Sequence, residues 1–442
     1  MDIMDKLTIL SDSAKYDAAC TSSGVKRSAP ADGIGSVLPA GCCHSFSADG
    51  RCITLLKVLM SNSCIYDCKY CINRKSNDVP RATFTPEELA ELTIQFYRRN
   101  YIEGLFLSSG VLGSPDYTSE RMANALERLR YEHKFWGYIH TKIIPGTSPE
   151  LVNKLSLLAD RVSVNVELPS EASLGNLAPE KKRKDIFLPM GQITQGIQNS
   201  TELVRYKKAP SFAPGGQATQ MIIGASPETD YSIIKLASGL YDKYDLRRVF
   251  YSAYIPAMED KMLPAIDTKP PLLREHRLYQ ADFLMRQYHF VADEILSDEV
   301  PNFNPYMDPK CNWAVNNLHF FPVDVNKAEY EVLLRVPGIG PTSAKRIVTA
   351  RKHSKLGMPE LKRIGVVLKR ARYFIVTNDE PLGVAMDKFT TAKALIDPNS
   401  FSMGIEQISL FDTPQTKFLH DLNPPKIEHV REEATLCLAT KL

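Results

Sequence analysis

Three cysteines stand close together in one short loop, at positions 64, 68 and 71. Their thiolates are ligands for zinc or for an iron–sulfur cluster. Structural zinc almost always has four ligands, but the next cysteine downstream is Cys311. Upstream, a predicted strand of about eight residues, at roughly 3.3 Å each, separates Cys52 from the loop. Cys52 could therefore be the fourth ligand only if the strand folded back. Three thiolates on a four-iron cube leave one iron open. The spacing of Cys64, Cys68 and Cys71 therefore favours a [4Fe–4S] cluster.

Six β-rich runs alternate with helical stretches from residue 52 onward, at 53–60, 104–110, 137–144, 161–168, 219–225 and 247–255. Thr85-Pro86-Glu87-Glu88 is a capping box, and Ser148-Pro149 and Ser226-Pro227 repeat the pattern of a cap followed by Pro. Regular alternation of strand and helix indicates an α/β fold with a parallel sheet, which we interpret as a partial (β/α)6 barrel. The cysteine loop directly follows the first run. We therefore expect it at the carboxyl end of the sheet, where parallel α/β folds build their sites.

The composition is that of a globular protein with more than one domain. The chain has 442 residues, of which 44% are apolar and 24% are charged, and single cores rarely grow beyond about 250–300 residues. It has no apolar run of about 18 residues and no apolar segment typical of a signal peptide, so we expect a cytoplasmic protein without a membrane span. We predict an N-terminal extension (1–50), a barrel (51–300) with an insertion (171–215), a helix-hairpin-helix domain (301–376) and a flexible tail (377–442).

The cysteine loop resembles that of the radical S-adenosylmethionine (SAM) superfamily, whose hallmark is the CxxxCxxC spacing with an aromatic residue before the third cysteine, here Tyr70. The resemblance covers roughly residues 52–300. It implies that the open iron binds the amino and carboxylate groups of SAM. It also implies that an electron from the cluster cleaves SAM to methionine and a 5′-deoxyadenosyl radical, which abstracts a hydrogen atom from the substrate.

The resemblance further implies contacts between SAM and the ends of the following strands. The second strand of the superfamily usually ends in a Gly-Gly-Glu-like turn, whose place is taken here by Ser108-Ser109-Gly110, without the acid. Asn165 and Glu167 lie two apart on the predicted fourth strand and so share one face. They either hold the ribose and methionine parts of SAM or form a solvated face. Two interpretations, a ligand contact or an ordinary structural position, also stay open for Asn73, Arg74, His140, Lys142 and Gly224.

A basic segment follows the predicted barrel. Residues 335–373 contain eleven Lys or Arg and one Glu, against a net charge of +3 for the whole chain. Val336-Pro-Gly-Ile-Gly-Pro341 stands between two predicted helices and resembles a helix-hairpin-helix element, with a looser second copy over 360–372. Gly338 and Gly340 would leave N–H groups free at a helix start to hold a phosphate, with Lys345 and Arg346 beside them. We interpret the pair of hairpins as a DNA-binding unit; a protein-contact hairpin is the alternative.

The combination resembles one family, the radical SAM proteins described as DNA modification or repair proteins with a C-terminal helix-hairpin-helix. The residues that carry this resemblance are 52–74 and 336–346. It implies an enzyme that repairs or modifies a nucleotide in DNA, an electron donor, and a uracil-DNA-glycosylase-like partner. The alternatives are a radical SAM enzyme that modifies RNA or tRNA, and a non-catalytic iron–sulfur protein that binds DNA.

Two further groups of residues allow weaker hypotheses. Cys20, Cys43 and Cys52 could bind a second cluster or a zinc ion, but their spacings fit no standard pattern, which favours free thiols. In the tail, the peptide 407–411 resembles the short segment by which bacterial repair proteins dock on the sliding clamp. Leu410 and Phe411 would fill an apolar pocket, and Gln407 would form hydrogen bonds at a second one. A short docking strand is the alternative.

Overall fold

The structure is a computed structural model, and it describes residues 1–14, 42–46, 52–203, 211–380 and 387–396. The chain divides into two compact units. The first takes in the described residues up to 228 together with 239–270, and the second takes in 229–238 together with those from 271 onward. No helix of the described residues is long and apolar enough to cross a membrane.

Seven strands form the sheet of the first unit, and their order in the sheet is their order in the chain. They are β1 (Cys42–Phe46), β2 (Cys52–Leu59), β3 (Gly104–Ser108), β4 (Tyr138–Lys142), β5 (Arg161–Ser163), β6 (Gln217–Ile223) and β7 (Arg248–Ala253). β2 to β7 are parallel throughout. Every residue of β3 is buried, as expected for a strand covered on both faces. The six parallel strands form a half-barrel, which confirms the predicted partial (β/α)6 fold.

Helices lie between these strands. They are α1 (Ile3–Ala14), α2 (Pro86–Arg98), α3 (Pro115–Glu127), α4 (Pro149–Leu158), α5 (Glu171–Leu177), α6 (Arg183–Leu203) and α7 (Asp230–Tyr244), with a π-helical turn over Arg128–Glu132. Three of them, α2, α3 and α5, begin after a residue whose side chain caps the helix. At the start of α2 the Glu88 N–H donates to Thr85 Oγ1 and the Thr85 N–H donates to the Glu88 carboxylate, at 3.1 and 2.9 Å. The predicted capping box is therefore present, and it satisfies donors that a helix start leaves free.

Two strands differ from the predictions. β1 was not predicted, because its residues lie in a segment without alternation; it pairs antiparallel with β2, so that Phe46 stands opposite Cys52. The predicted fourth strand, 161–168, is also too long, since β5 ends at Ser163. Glu167 forms only an isolated bridge with Met221 and has a φ of +67°, outside the β region of regular strands. The expectation that Asn165 and Glu167 share a strand face is therefore wrong.

The second unit is mainly helical. Its elements are α8 (Leu272–Tyr288), α9 (Ala292–Ile295), α10 (Pro309–Asn316), a 3-10 turn (Leu318–Phe320), α11 (Tyr330–Arg335), α12 (Pro341–Ala350), α13 (Met358–Ile364), α14 (Leu368–Ala371) and α15 (Lys388–Leu395). Two short parallel strands, β8 (Val323–Asp324) and β9 (Ile375–Val376), pair on either side of the hairpins in the sequence. The predicted all-α domain therefore also contains a small sheet. α15 lies in the segment predicted to be a flexible tail, and its Thr391 and Ala392 are buried.

Candidate active site and hairpin surface

One cavity at the carboxyl end of the half-barrel collects the predicted cluster and SAM residues. It has a volume of about 240 Å³. Strand ends and the loops after them supply the wall, because carboxyl ends of parallel strands meet at one edge of a sheet. The predicted residues that line the cavity are Cys64, Cys68, Tyr70, Cys71, Ser108, Ser109, Gly110, Asn165 and Glu167.

The turn after β3 packs directly against the cysteine loop. The Gly110 N–H donates to the Ser61 carbonyl at 2.7 Å, and a Cβ atom on Gly110 would lie 2.6 Å from the Ser63 carbonyl oxygen. Only glycine fits at such a distance, so Gly110 is required for packing even without a ligand. Ser108 is buried, and the Ser109 hydroxyl donates to the Gly110 carbonyl at 2.7 Å.

The three cysteine thiols differ in their surroundings. Backbone N–H groups of Tyr66 and Val111 donate to Cys64 Sγ at 3.4 and 3.3 Å. Burial raises the pKa of Cys68 to about 11 and that of Cys71 to about 12. Thiols with such pKa values are protonated near neutral pH, and the positive charge of a bound metal is what deprotonates them.

Three thiols, those of Cys64, Cys68 and Cys71, line the cavity, and each could bind one iron of an iron–sulfur cube. Throughout the described ranges, no three His, Cys, Asp or Glu side chains are arranged to hold one metal ion. A single zinc ion needs its ligands to converge on one point. In a four-iron cube each thiolate binds a different iron, so the sulfur atoms stay farther apart.

Three buried polar atoms in the cavity wall have no hydrogen-bond partner among the described residues. They are Asn73 Oδ1, Asn165 Oδ1 and the Tyr254 hydroxyl. Buried polar groups are nearly always hydrogen-bonded, and an unpaired one costs free energy unless a ligand or water satisfies it. Their arrangement therefore fits a polar ligand such as SAM.

A buried ion pair, which was not predicted from the sequence, crosses the same cavity. Lys181 Nζ lies 2.7 Å from Glu167 Oε1 and over the ring of Tyr70. Burial lowers the pKa of Lys181, but the nearby Glu167 carboxylate outweighs burial and holds this pKa well above the usual lysine value. The sequence places Lys181 in a basic run, 181–184, and nothing in that run distinguishes the one lysine that turns inward.

The structure distinguishes among the residues for which a ligand contact and a structural position were both open. His140 is buried away from the cavity wall, with Nε2 at 3.0 Å from Ser163 Oγ, and burial lowers its pKa well below the usual value. A structural role therefore fits His140. Lys142 lines the cavity. Arg74 pairs with Asp260 at 3.5 Å, and Gly224 has a φ of +87°, which favours glycine at the turn after β6.

The two hairpins pack against each other through a glycine. Gly338 has a φ of +85°, and a Cβ atom there would lie 2.5 Å from the Val367 carbonyl oxygen. The Val367 N–H donates to the Gly338 carbonyl at 2.9 Å. Close contact with the second hairpin therefore accounts for this glycine, rather than a free face for phosphate. Gly340 is the N-cap of α12, where no side chain caps the helix.

A buried lysine, also not predicted from the sequence, supports the first hairpin. Lys310 Nζ donates to the Ile339 carbonyl at 2.6 Å and lies 4.4 Å from the centre of the Tyr288 ring. Burial lowers the pKa of Lys310 to about 7. The hairpin is therefore held in place by a side chain from α10.

The basic residues of the hairpin region serve two different purposes. Several are bound inside the unit: Arg335 lies over the Phe290 ring, Arg351 donates to the carbonyl groups of Val325 and Ala328, and Arg370 pairs with Asp308. Arg346 is exposed but donates to the Ile364 carbonyl at 3.1 Å. Six other exposed cations have neither an ion pair nor a side-chain hydrogen bond in the part of the chain that the structure describes: Lys345, Lys352, Lys355, Lys362, Lys369 and Arg372.

Two segments of the chain match models of protein families. Residues 58–187 match the model of the radical SAM superfamily, and residues 320–357 match a helix-hairpin-helix motif. The class defined by the first match is that of the radical SAM enzymes, whose members use a [4Fe–4S] cluster and SAM. The predicted class of enzyme and its two cofactors are therefore confirmed, and the predicted hairpin motif is present.

Three solved structures are similar to part of this chain, and one of them, that of HemN, is described as a radical SAM enzyme. The crystal structure of HydG, a maturase of the [FeFe]-hydrogenase, is 15% identical, with 51% of this chain and 48% of that chain covered and a TM-score of 0.39. Methylornithine synthase (PylB) is 13% identical, with 51% of this chain and 60% of that chain covered and a TM-score of 0.38. Coproporphyrinogen III oxidase (HemN) from Escherichia coli is 13% identical, with 46% of this chain and 47% of that chain covered and a TM-score of 0.29. The chain thus spans about half the length of the first of these structures. No curated protein matches the chain.

Proposed function

We propose that the chain is a radical SAM enzyme in which Cys64, Cys68 and Cys71 hold the [4Fe–4S] cluster and the surrounding cavity binds SAM. When bound, the cluster supplies the electron that cleaves SAM to methionine and a 5′-deoxyadenosyl radical. The observation that carries this assignment is the single cavity that contains all three cysteines and the unpaired polar atoms of Asn73 and Asn165.

The charged groups of the cavity suit the methionine part of SAM. That part carries an ammonium and a carboxylate, and the cavity offers the Glu167 carboxylate and the Lys181 ammonium. Ser108, Ser109 and Gly110 add hydroxyl and backbone groups in place of the missing acid. The apolar side chains of Leu59, Val111, Ile143 and Ile222 line the same space, and an apolar lining would limit side reactions of a radical with water.

We infer that the substrate is DNA and that the reaction is repair or modification of a nucleotide. The supporting observations are the six exposed cations of the hairpin region and the helix start at Gly340, where no side chain caps α12. Helix N-termini and lysines bind phosphate oxygens without regard to base sequence. Such contacts deliver the barrel to a duplex, while base recognition must come from the barrel itself. RNA or tRNA is the competing substrate, and a non-catalytic DNA-binding protein is the competing class.

The proposal includes partners and a location. An electron donor must reduce the cluster, and the family resemblance adds a uracil-DNA-glycosylase-like protein. The sliding-clamp peptide with Gln407, Leu410 and Phe411 lies outside the described residues, as does Cys20, and the hypotheses on them stay predictions. The same holds for a second cluster that would also need Cys43 and Cys52. A thiolate-bound cluster fits the reducing cytoplasm.

Anaerobic turnover tests the proposal directly. The reconstituted protein is incubated with SAM, dithionite and damaged or undamaged duplex DNA, and with tRNA in parallel. We expect 5′-deoxyadenosine in every reaction and a changed nucleoside by mass spectrometry only with DNA. A changed nucleoside in tRNA alone would assign the enzyme to RNA. Absence of 5′-deoxyadenosine from the wild-type protein, with the triple Cys→Ala variant as the background control, would refute the enzyme assignment.

A further inference from the structure

One arginine outside the cysteine motif closes the loop that contains it. Arg81 Nη1 donates to the carbonyl groups of Asn62 and Asn73, at 2.5 and 2.9 Å. Its Nη2 donates to the carbonyl groups of Arg74 and Asn77, both at 2.7 Å. The first acceptor precedes Cys64 and the other three follow Cys71, so a single guanidinium joins the entrance of the loop to its exit.

The segment that contains Arg81 is itself fixed to the start of the loop. The Ala82 N–H donates to Asn62 Oδ1 at 2.8 Å, and Asn62 Nδ2 donates to the Pro80 carbonyl at 2.8 Å. Arg81 is half-buried, and no carboxylate in the described residues pairs with it. Among the described residues, the groups that accept hydrogen bonds from its guanidinium are carbonyl oxygens.

We propose that Arg81 is a positioning residue for the cluster, with two separable effects. Its four hydrogen bonds fix the loop so that the cysteines are held in a binding arrangement before metal arrives. Its positive charge favours the more negative, reduced state of a cluster with three thiolate ligands and so raises the reduction potential. This inference rests on the proposed cluster at Cys64, Cys68 and Cys71.

Two substitutions separate the effects. Arg81→Gln removes both the charge and most of the donors. Arg81→Lys keeps the charge, but a single ammonium cannot reach four carbonyl groups in the fork geometry of a guanidinium. Arg121→Gln is the matched control, because Arg121 is also half-buried and donates to a carbonyl group, that of Phe84, at 3.1 Å, away from the loop.

The measurements are iron and sulfide content after anaerobic reconstitution, the rate of iron loss to a chelator, and the midpoint potential of one-electron reduction. Because residues that orient metal ligands typically change affinity 10- to 100-fold, we expect Arg81→Gln to lose iron about 10- to 100-fold faster and to have a lower potential. Arg81→Lys should lose iron nearly as fast but keep the wild-type potential. Arg121→Gln should match the wild type in both.

Wild-type iron retention and potential in Arg81→Gln would overturn the inference. If circular dichroism shows that Arg81→Gln is unfolded, Arg81→Lys decides, and wild-type retention of iron in that variant would overturn it. A wild-type protein that binds four irons but does not cleave SAM would refute the proposed function while leaving the Arg81 comparison intact. A wild-type protein that binds no iron would overturn both.

Discussion

Replacing Lys181 with methionine isolates the ion pair of the cavity. The ammonium lies 2.7 Å from Glu167 Oε1, and the two side chains are only 13% and 11% exposed. Removing one partner of a buried pair leaves the other charge uncompensated and typically costs 3–5 kcal/mol. We therefore expect Lys181→Met to lower the free energy of unfolding by about 3 kcal/mol.

The second substitution, Glu167→Gln, should restore most of that stability, because the unpaired carboxylate is then gone. Replacing a whole buried pair is often close to neutral. The coupling free energy of the double-mutant cycle should therefore be about 2–3 kcal/mol. Lys182→Met is the matched control: Lys182 is the next residue and is exposed, so its substitution should change stability by no more than about 0.5 kcal/mol.

Denaturant unfolding of the metal-free protein measures the cycle, and equilibrium dialysis of the reconstituted protein measures SAM binding. A hydrogen bond to a charged group contributes about 1.5–3 kcal/mol, so Lys181→Met/Glu167→Gln should bind SAM at least about 10-fold more weakly even though it is stable. Coupling below about 0.5 kcal/mol would refute the buried pair. Wild-type SAM affinity in the stable double variant would show that Lys181 serves stability alone.

Four further expectations concern the cysteines, the hairpins, Lys310 and the tail. Replacing Cys64, Cys68 or Cys71 with Ala should abolish the visible cluster absorption and SAM cleavage; 5′-deoxyadenosine from the triple variant would contradict the ligand assignment. The double variant Lys345→Ala, Lys352→Ala should bind duplexes of unrelated sequence equally weakly. The slope of its salt dependence should fall by about 0.9 for each phosphate that is no longer bound. Lys327 already pairs with Asp324, so Lys327→Ala should change neither the affinity nor the slope. Burial lowers the pKa of Lys310 to about 7 in the folded protein, so above pH 7 the unfolded state binds more protons than the folded state. The free energy of unfolding of the second unit should therefore rise between pH 7 and 10, by at most about 1.4 kcal/mol per pH unit. Unfolding monitored by Trp313 fluorescence in a Trp136→Phe background should show this rise in stability with pH, and the further substitution Lys310→Met should remove it. An equal dependence of stability on pH with Lys310 and with Met at this position would contradict the expectation. Deleting residues 404–414 should remove binding to a bacterial sliding clamp without affecting SAM cleavage, and no binding by the intact protein would contradict the docking hypothesis.

Local features of the fold could be predicted from the sequence, and features that depend on distant partners could not. The capping box at Thr85 was visible because every group in it lies within four residues. β1 was not, because its five residues have no periodic pattern and gain order by pairing with β2. The length of β5 was overestimated because apolar alternation continues to Leu168, whereas continuous strand pairing ends at Ser163 and resumes only as an isolated bridge between Glu167 and Met221.

The site shows the same division. The cysteine spacing is a local pattern and predicted the chemistry without a structure. Tyr254, Lys181 and Arg81 come from three separate loops and reach the cavity or the cysteine loop only through tertiary packing. Their residue types are common at protein surfaces, so no pattern in the sequence separates them from solvated neighbours such as Lys182.

Charge counting in the hairpin region shows why a sequence total is a poor measure of phosphate binding. Eleven cations in 335–373 would predict a salt slope near 10, at about 0.9 for each phosphate bound. Arg335, Arg351 and Arg370 are engaged within the unit. Six exposed cations have neither an ion pair nor a side-chain hydrogen bond among the described residues, and they give a slope of roughly 5. Adding Arg346, which donates to a carbonyl group, and Arg363, which pairs with Glu360, raises the slope to about 7. A measured slope near 10 would therefore require phosphate binding outside the hairpins.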